Sequence, residues 1–267
     1  TPGGPYRFDP TAGAFTHHFR HDPSYPGSLS SDRIVALMRD RAGLLWVGTR
    51  DAGLNQLDGR RAQFAVHRHA PGDARSLPDR HVRAVHVDPD GTVWTGSSRG
   101  ELTRFDRETG RFTHYRHDPA RPHSIGAGHL IGAVTRDREG HVWVGGWEAV
   151  LNRLDPATGR FRRFRHDPSD PYSISSNNVL SLCVDRSGAL WVGTLFAGLN
   201  RFDPATGRFD VYRHDPSDPH SLGGNAVSTI LEDHAGDLWV GTWAGVLSRL
   251  DRQTGRFTHY RYVPGTP

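Results

Sequence analysis

The sequence contains no lysine, one cysteine, one methionine and no long apolar run. Because Cys183 is the only cysteine, an intrachain disulfide is excluded. No segment approaches the roughly 18 consecutive apolar residues of a membrane-spanning helix. A chain of 267 residues can bury about three quarters of its unfolded surface. It can therefore form a sizeable core without disulfides.

All 33 basic residues are arginine, and the formal net charge is +4. A basic chain invites a nucleic-acid interpretation. The arginines, however, recur with the repeat described below and do not cluster. Scattered surface charge explains this distribution, so we expect no nucleic-acid partner.

Five tryptophans mark an internal repeat of 48, 49, 48 and 48 residues. Each lies in one motif, with an aspartate six residues before it and a glycine three residues before it. The motifs are LLWVGT, TVWTGS, HVWVGG, ALWVGT and DLWVGT, around Trp46, Trp94, Trp143, Trp191 and Trp239. Repeats of this length are typical of stacked supersecondary units.

Each repeat reads as four short strands joined by D-x-x-G, D-P-x-T-G and Pro/Asp-rich turns. The predicted fold is all-β: a β-propeller of four-stranded antiparallel blades. Five full blades are expected at roughly 34–67, 82–115, 130–164, 179–212 and 227–260, with an N-terminal half blade at 6–19. We predict that residues 1–267 form a single propeller domain or a fragment of a larger, seven-bladed ring. A closed five-bladed ring with a spare hairpin is the alternative.

One column of the first strand carries small residues: Ala36, Ala84, Ala133, Ser181 and Thr229. Blades converge toward the axis of a propeller, where space is limited. The column is therefore predicted to lie where neighbouring blades approach each other closely.

The combination D-x-x-G-x-L-W-V-G-T, G-L-x-R-x-D and T-G-x-F-x-x-Y resembles the two-component regulator propeller repeat. It is present at 40–57, 185–212 and 233–260 and in weaker form in the other two repeats. The resemblance implies the sensor portion of a bacterial hybrid two-component protein, in the periplasm or otherwise outside the cytoplasm. It also implies a downstream kinase or other output domain, and membrane association only through parts absent from this chain. Some members recognise oligosaccharides.

Positions that are identical in all copies are needed for the blade structure itself. Positions that differ between the copies are not constrained in this way and are therefore free to bind a ligand. The copies diverge directly after the tryptophan motif and before a shared serine in the loop between blades. Aromatic faces suit sugar rings, and charged groups suit hydroxyl or acid groups. The predicted ligand-binding residues in these rim loops are Trp147, Glu148, Phe196, Trp243, Arg50, Arg99, His123, Tyr172 and His220. Alternatively, the aromatic residues only cover blade junctions.

No catalytic residue, metal ligand or cofactor is assigned from the sequence. Five of the 17 histidines recur once per repeat and cannot converge on one ion: His21, His69, His117, His166 and His214. The D-P-x-T-G segments lack the further carboxylates of a calcium loop. Cys183 is expected to be a buried, inert thiol.

Three functions are compatible with these patterns. The first is a non-catalytic module that senses an oligosaccharide or similar small ligand. The second is a propeller enzyme, a lyase or glycosidase, which requires a rim histidine such as His123 or His220 near Glu148. The third is a platform for protein interaction or dimerisation, which requires a wide exposed apolar patch.

Overall fold

The computed structural model describes residues 3–58 and 63–261, and within these ranges the regular structure consists of β-strands alone. The described residues contain no helix able to span a membrane. The chain divides into two compact units, Thr1–Arg116 and His117–Pro267.

The first unit contains a two-stranded sheet and two four-stranded sheets. The two-stranded sheet is formed by β1 (Tyr6–Asp9) and β2 (Ala14–His18). Blade 1 consists of β3 (Ile34–Arg39), β4 (Leu45–Thr49), β5 (Leu54–Asp58) and β6 (Gln63–His67). Blade 2 consists of β7 (Val82–Val87), β8 (Val93–Ser97), β9 (Leu102–Asp106) and β10 (Arg111–Tyr115).

The second unit contains three four-stranded sheets. Blade 3 consists of β11 (Leu130–Arg136), β12 (Val142–Trp147), β13 (Leu151–Asp155) and β14 (Arg160–Phe164). Blade 4 consists of β15 (Val179–Val184), β16 (Leu190–Thr194), β17 (Leu199–Asp203) and β18 (Arg208–Tyr212). Blade 5 consists of β19 (Val227–Glu232), β20 (Leu238–Thr242), β21 (Val246–Leu250) and β22 (Phe257–Arg261).

Every blade pairs its strands in chain order and antiparallel, as hairpin-connected strands do. The D-x-x-G segment forms the hairpin between the first two strands. In blade 4, Asp185 N–H donates to the Ala189 carbonyl, and Gly188 adopts φ 92°, which glycine tolerates without steric cost. The predicted all-β propeller with five four-stranded blades and a half blade is confirmed.

The repeated tryptophan is held by the aspartate six residues before it. The indole Nε1–H donates to the carboxylate at 3.1, 2.8, 2.7, 2.8 and 2.8 Å in blades 1 to 5. In blade 4 the other carboxylate oxygen accepts the Ser187 and Ala189 N–H groups. One side chain thus closes the hairpin and orients the indole.

The oriented indole packs against the next blade within each unit. Trp46 contacts a cluster with Val82 and Phe105, and Trp143 one with Val179 and Phe202. Trp191 lies with Val227, Leu238 and Phe257. Blades 1, 3 and 4 therefore each bury one face on the following blade, and this burial of apolar surface stabilises the stack.

The column of small residues lies opposite a glycine of the second strand. Ser181 pairs with Gly193, and Thr229 with Gly241. A Cβ at Gly193 would lie 2.6 Å from Val227 Cγ1 of the next blade. Small side chains and glycine together permit the close approach that the sequence predicts for this column.

Leu199 of blade 4 and Leu247 of blade 5 occupy the same position of the repeat but differ in burial. The loss of folding stability on mutation should therefore differ between them. Leu199 is fully buried, whereas Leu247 is 42% exposed. We expect Leu199→Ala to destabilise by about 2–5 kcal/mol because it leaves a cavity. Leu247→Ala should cost less than about 1 kcal/mol, since little apolar surface is lost from the interior. Urea unfolding of both variants checks this, and equal costs would contradict it.

His67 occupies the position of Tyr115, Phe164 and Tyr212 in other blades and predicts a pH-dependent stability. Its ring lies against Trp46 and Phe105. Burial, and secondarily the charge of Arg107, lowers its pKa. The neutral ring therefore contributes stability that is present above the unfolded value of about 6.5 and lost as the pH falls through the folded value.

We expect His67→Phe to remove this loss. The stability difference between the variant and the wild type should widen in favour of the variant as the pH falls from about 7.5 to about 5. Denaturant unfolding at several pH values measures it. Because the other histidines are present in both proteins, a stability difference that stays constant with pH would refute the assignment.

Candidate functional site

The loops between the second and third strands form one end of each blade, which we call the upper end. Phe196 and Trp243 lie in these loops in blades 4 and 5, and Trp147 is the last residue of the second strand of blade 3. The three side chains are 43%, 69% and 56% exposed. Contiguous exposed apolar patches often mark binding sites, whereas single exposed apolar residues are common on protein surfaces. We call Trp147, Phe196 and Trp243 the aromatic rim.

Phe196 and Trp243 face each other across neighbouring blades. Their ring centroids are 6.1 Å apart with an interplanar angle of 83°, an edge-to-face geometry that aromatic pairs favour. Both rings nevertheless remain largely open to solvent. They do not serve as a buried cover of the junction between blades 4 and 5.

A threonine at the end of the second strand closes two of these loops. Thr194 Oγ1 donates to the Gly198 carbonyl at 2.7 Å, and Thr242 Oγ1 donates to the Val246 carbonyl at 3.2 Å. The backbone Thr194 N–H donates to the same Gly198 carbonyl. The clasp fixes the short loop that presents Phe196.

Blade 3 departs from this pattern because Gly146 stands in place of the threonine. A Cβ there would lie 1.8 Å from the Leu130 carbonyl oxygen, so only glycine fits. The second strand consequently continues to Trp147, which pairs with Leu130. The extension places the Trp147 ring at the end of a strand instead of in a loop.

Three non-glycine residues have positive φ among the described residues, and all lie in the loops of blades 3 and 4. They are Glu148 (53°), Val150 (48°) and Phe196 (64°). Val150 stands where blades 1 and 4 have Gly53 and Gly198. Such conformations cost about 1–3 kcal/mol each and concentrate at functional sites.

Asparagines that precede the first strand tie neighbouring loops together. Asn178 Oδ1 accepts the Glu148 N–H at 2.7 Å, and its carbonyl accepts the Leu195 N–H. Asn225 accepts the Gly198 N–H on its carbonyl. The loops of blades 3, 4 and 5 are thus held in fixed relative positions. Sequence reasoning missed these residues, although they too differ between copies, which is the signal that selected the aromatic residues.

Glu148 forms an ion pair with a histidine that sequence reasoning did not select. His129 Nε2 lies 3.0 Å from Glu148 Oε2, with side chains 80% and 59% exposed. The enzyme hypothesis named His123 or His220 for this place. A pair so exposed to water is screened and weak.

Arg50 and Arg99 lie at the upper ends of blades 1 and 2, in the first unit. Arg50 is exposed, and its N–H donates to the Arg33 carbonyl. Arg99 Nε is 4.0 Å from Asp79. Burial opposes ionisation of Asp79, but hydrogen bonds from His81 keep its pKa below the usual value. The upper ends of blades 1 and 2 therefore carry charge where those of blades 3 to 5 carry aromatic rings.

The structure places His123, Tyr172 and His220 away from the aromatic rim. Their carbonyl groups accept the N–H groups of Phe161, Phe209 and Phe257, at the start of the fourth strand. Arg208 lies over the Tyr172 ring at 4.3 Å. The fourth strand starts at the lower end of the blade, about 13 Å from its upper end at about 3.3 Å per residue. The long loop folds back along the outer strand, so these three residues lie near the start of the fourth strand, and their role in binding stays a prediction.

The histidines that recur once per repeat fasten this folded-back loop. Each Nδ1 contacts the carbonyl eight residues later, at 2.7–2.9 Å. Cys183 lies partly buried beside blade 5, and burial raises the pKa of its thiol to about 11. Both observations describe scaffold roles.

Comparison with known proteins gives matches in family and in structure. Residues 28–51, 173–196 and 221–244 match the family model described as two component regulator propeller. No curated protein matches the sequence.

Among solved structures, the extracellular domain of a hybrid two component system from B. thetaiotaomicron is similar at 25% identity and a TM-score of 0.71. The match covers 86% of this chain and 30% of that one. A second such extracellular domain from B. thetaiotaomicron gives 20% identity, TM-score 0.56, and coverage of 100% and 39%. Virginiamycin B lyase from Staphylococcus aureus gives 16% identity, TM-score 0.64, and coverage of 88% and 71%. At that identity the lyase shows the fold alone.

The positive φ of Phe196 predicts an inverted order of stability for two substitutions. In the interior of an ordinary strand, glycine lowers the stability of the protein by about 0.5–1 kcal/mol relative to alanine. At this position Phe196→Gly should be more stable than Phe196→Ala by about 1 kcal/mol, because glycine removes the left-handed strain that alanine retains. Thermal unfolding of the two variants measures the order. Alanine as the more stable residue would show that the loop is unstrained.

Proposed function

Because this chain carries the repeats of the two component regulator propeller family, we propose that it is the sensing portion of a bacterial signal-transduction protein. It binds a small ligand at the aromatic rim and has no catalytic role. It spans only 30% of the similar extracellular domain. We therefore assign the output to a kinase or other domain outside this chain, and the location to the periplasm or another extracytoplasmic compartment.

The observation that carries the proposal is the exposed, ordered aromatic rim. Phe196 and Trp243 contact each other edge to face and leave their outer surfaces open. Binding sites combine such apolar faces with a few convergent polar groups. Glu148 and Asn178 supply carboxylate and amide groups beside Trp147.

An oligosaccharide suits this surface best among small ligands. The apolar faces of sugar rings stack on flat aromatic side chains, while hydroxyl groups pair with carboxylate and amide oxygens. The three rings lie on three successive blades, which suits a ligand of several linked rings. The fixed loops reduce the ordering cost of binding.

Thermal unfolding against a panel of neutral and acidic oligosaccharides tests the proposal. A ligand that binds only the folded chain raises the midpoint. We expect a shift with one sugar class, and its loss in Trp147→Ala and Trp243→Ala. Phe15→Ala is the matched control, since Phe15 is as exposed as Phe196 but lies in β2; it should retain the shift.

Iodide quenching supplies a second readout. Trp147 and Trp243 are exposed, whereas Trp46, Trp94, Trp143 and Trp191 are buried. Bound sugar should shield Trp147 and Trp243 from iodide and so reduce the fraction of tryptophan fluorescence that iodide quenches. No shift and no protection with any sugar would refute the rim site and favour a protein-interaction platform. Cleavage of the bound sugar, detected by mass spectrometry, would favour the enzyme instead.

A further inference from the structure

The aspartate that holds each tryptophan also meets an arginine at two blade junctions. Arg107 of blade 2 lies 3.4 Å from Asp40 Oδ2, and Arg252 of blade 5 lies 2.9 Å from Asp185 Oδ2. The two carboxylates are only 5% and 1% exposed. A buried carboxylate needs such a cationic partner, because desolvation of an unpaired charge is costly.

The junction between blades 3 and 4 lacks this arginine. Pro204 follows Asp203 at the place where Arg107 follows Asp106 and Arg252 follows Asp251. The residue in ion-pair distance of Asp137, the aspartate of blade 3, is His141, and the Asp137 side chain is 13% exposed. A cleft of about 260 Å³ lies there instead, and Asp137, Glu139, Trp143 and Pro204 line it. Arg138 and Arg153 also border the cleft.

Those two arginines are engaged elsewhere. The Arg138 guanidinium donates to the Arg186 carbonyl, and the Arg153 guanidinium lies over the Trp143 ring. The carboxylate of Asp137 accepts the Trp143 indole N–H at 2.7 Å and the His141 N–H at 2.8 Å. Both are neutral donors, so these two hydrogen bonds bring no positive charge to Asp137.

Two further side chains, those of His141 and Glu139, bring donor atoms close to the Asp137 carboxylate. His141 Nδ1 lies 3.4 Å from Asp137 Oδ2 and 3.4 Å from Glu139 Oε2. The Nδ1 atom is buried and makes no hydrogen bond. The donor atoms of Asp137, Glu139 and His141 all lie within 4.8 Å of one another.

Ligands at about 2.0–2.2 Å from a tetrahedral metal ion lie about 3.3–3.6 Å apart. Both distances from His141 Nδ1 match this spacing, and the two carboxylate oxygens lie within 4.8 Å of each other. We propose that Asp137, Glu139 and His141 bind a divalent ion of the zinc class at this junction, where the junctions of blades 1 and 2 and of blades 4 and 5 place a guanidinium. Water supplies the fourth ligand.

The donor set selects the class of metal. An imidazole nitrogen with two carboxylate oxygens suits zinc and its transition-metal neighbours, whereas calcium takes six to eight oxygens. The Trp143 indole holds Asp137 in place, as outer hydrogen bonds commonly do for metal ligands. All three ligands lie between β11 and β12 of blade 3, so the ion would stabilise this hairpin.

Blade 4 provides a matched control for the ligands. Its hairpin reads D-R-S-G-A-L-W where blade 3 has D-R-E-G-H-V-W. The double variant Glu139→Ser/His141→Ala therefore reproduces, but for one Val in place of Leu, a hairpin that already folds in this protein. Asp137 and its bond to Trp143 remain.

Tag-free wild type and double variant are titrated with zinc chloride by calorimetry at neutral pH. The other 16 histidines are present in both proteins, so their weak binding cancels. We expect the wild type to bind one more equivalent of zinc. With cobalt(II), only the wild type should show the visible absorption of a tetrahedral site. Equal stoichiometry together with equal spectra would overturn the proposal.

Pro204→Arg tests where the ion lies, without removal of any ligand. It restores the residue found at Arg107 and Arg252, and the guanidinium should compete for the same space. We expect the extra equivalent of zinc to be lost and the unfolding midpoint to become insensitive to zinc. Zinc binding unchanged from the wild type would refute the placement of the ion at the guanidinium position.

Discussion

Each blade depends on a hydrogen bond between an aspartate and the tryptophan six residues later. The carboxylate of Asp185 accepts the Trp191 indole and the N–H groups of its own hairpin. The bond therefore fixes the turn and aims the largest side chain of the blade at its neighbour. A propeller blade cannot bury both faces alone. The same interaction thus couples local folding to the packing of blade on blade.

Such a repeated device leaves the remaining positions free to vary. The upper end presents charged side chains in blades 1 and 2, and Trp147, Phe196 and Trp243 in the others. The junction residue after the third strand is an arginine in blades 2 and 5 and Pro204 in blade 4. Differences of this kind lie at the two ends of the blade, where the scaffold does not require a fixed residue. They carry whatever is specific to this protein.

Divergence between the copies helped to select candidate site residues. It does not predict which of these residues lie close together in the fold. It selected Phe196 and Trp243, which the fold brings to 6.1 Å from each other. It selected Tyr172 equally, although the loop returns along the outer strand and places this ring under Arg208. Asn178 varies as well and was overlooked, since an asparagine before a strand resembles ordinary turn chemistry.

The sequence by itself determined the all-β propeller class, the blade boundaries and the tryptophan–aspartate repeat. These follow from period, strand alternation and turn residues, which are local properties of the chain. The tertiary structure alone decided which divergent residues meet, the left-handed backbone at Phe196, and the cleft beside Asp137. These depend on how loops cross between blades and on which side chain of the next blade faces a buried charge. Contacts between residues about 50 positions apart have no signature within either segment.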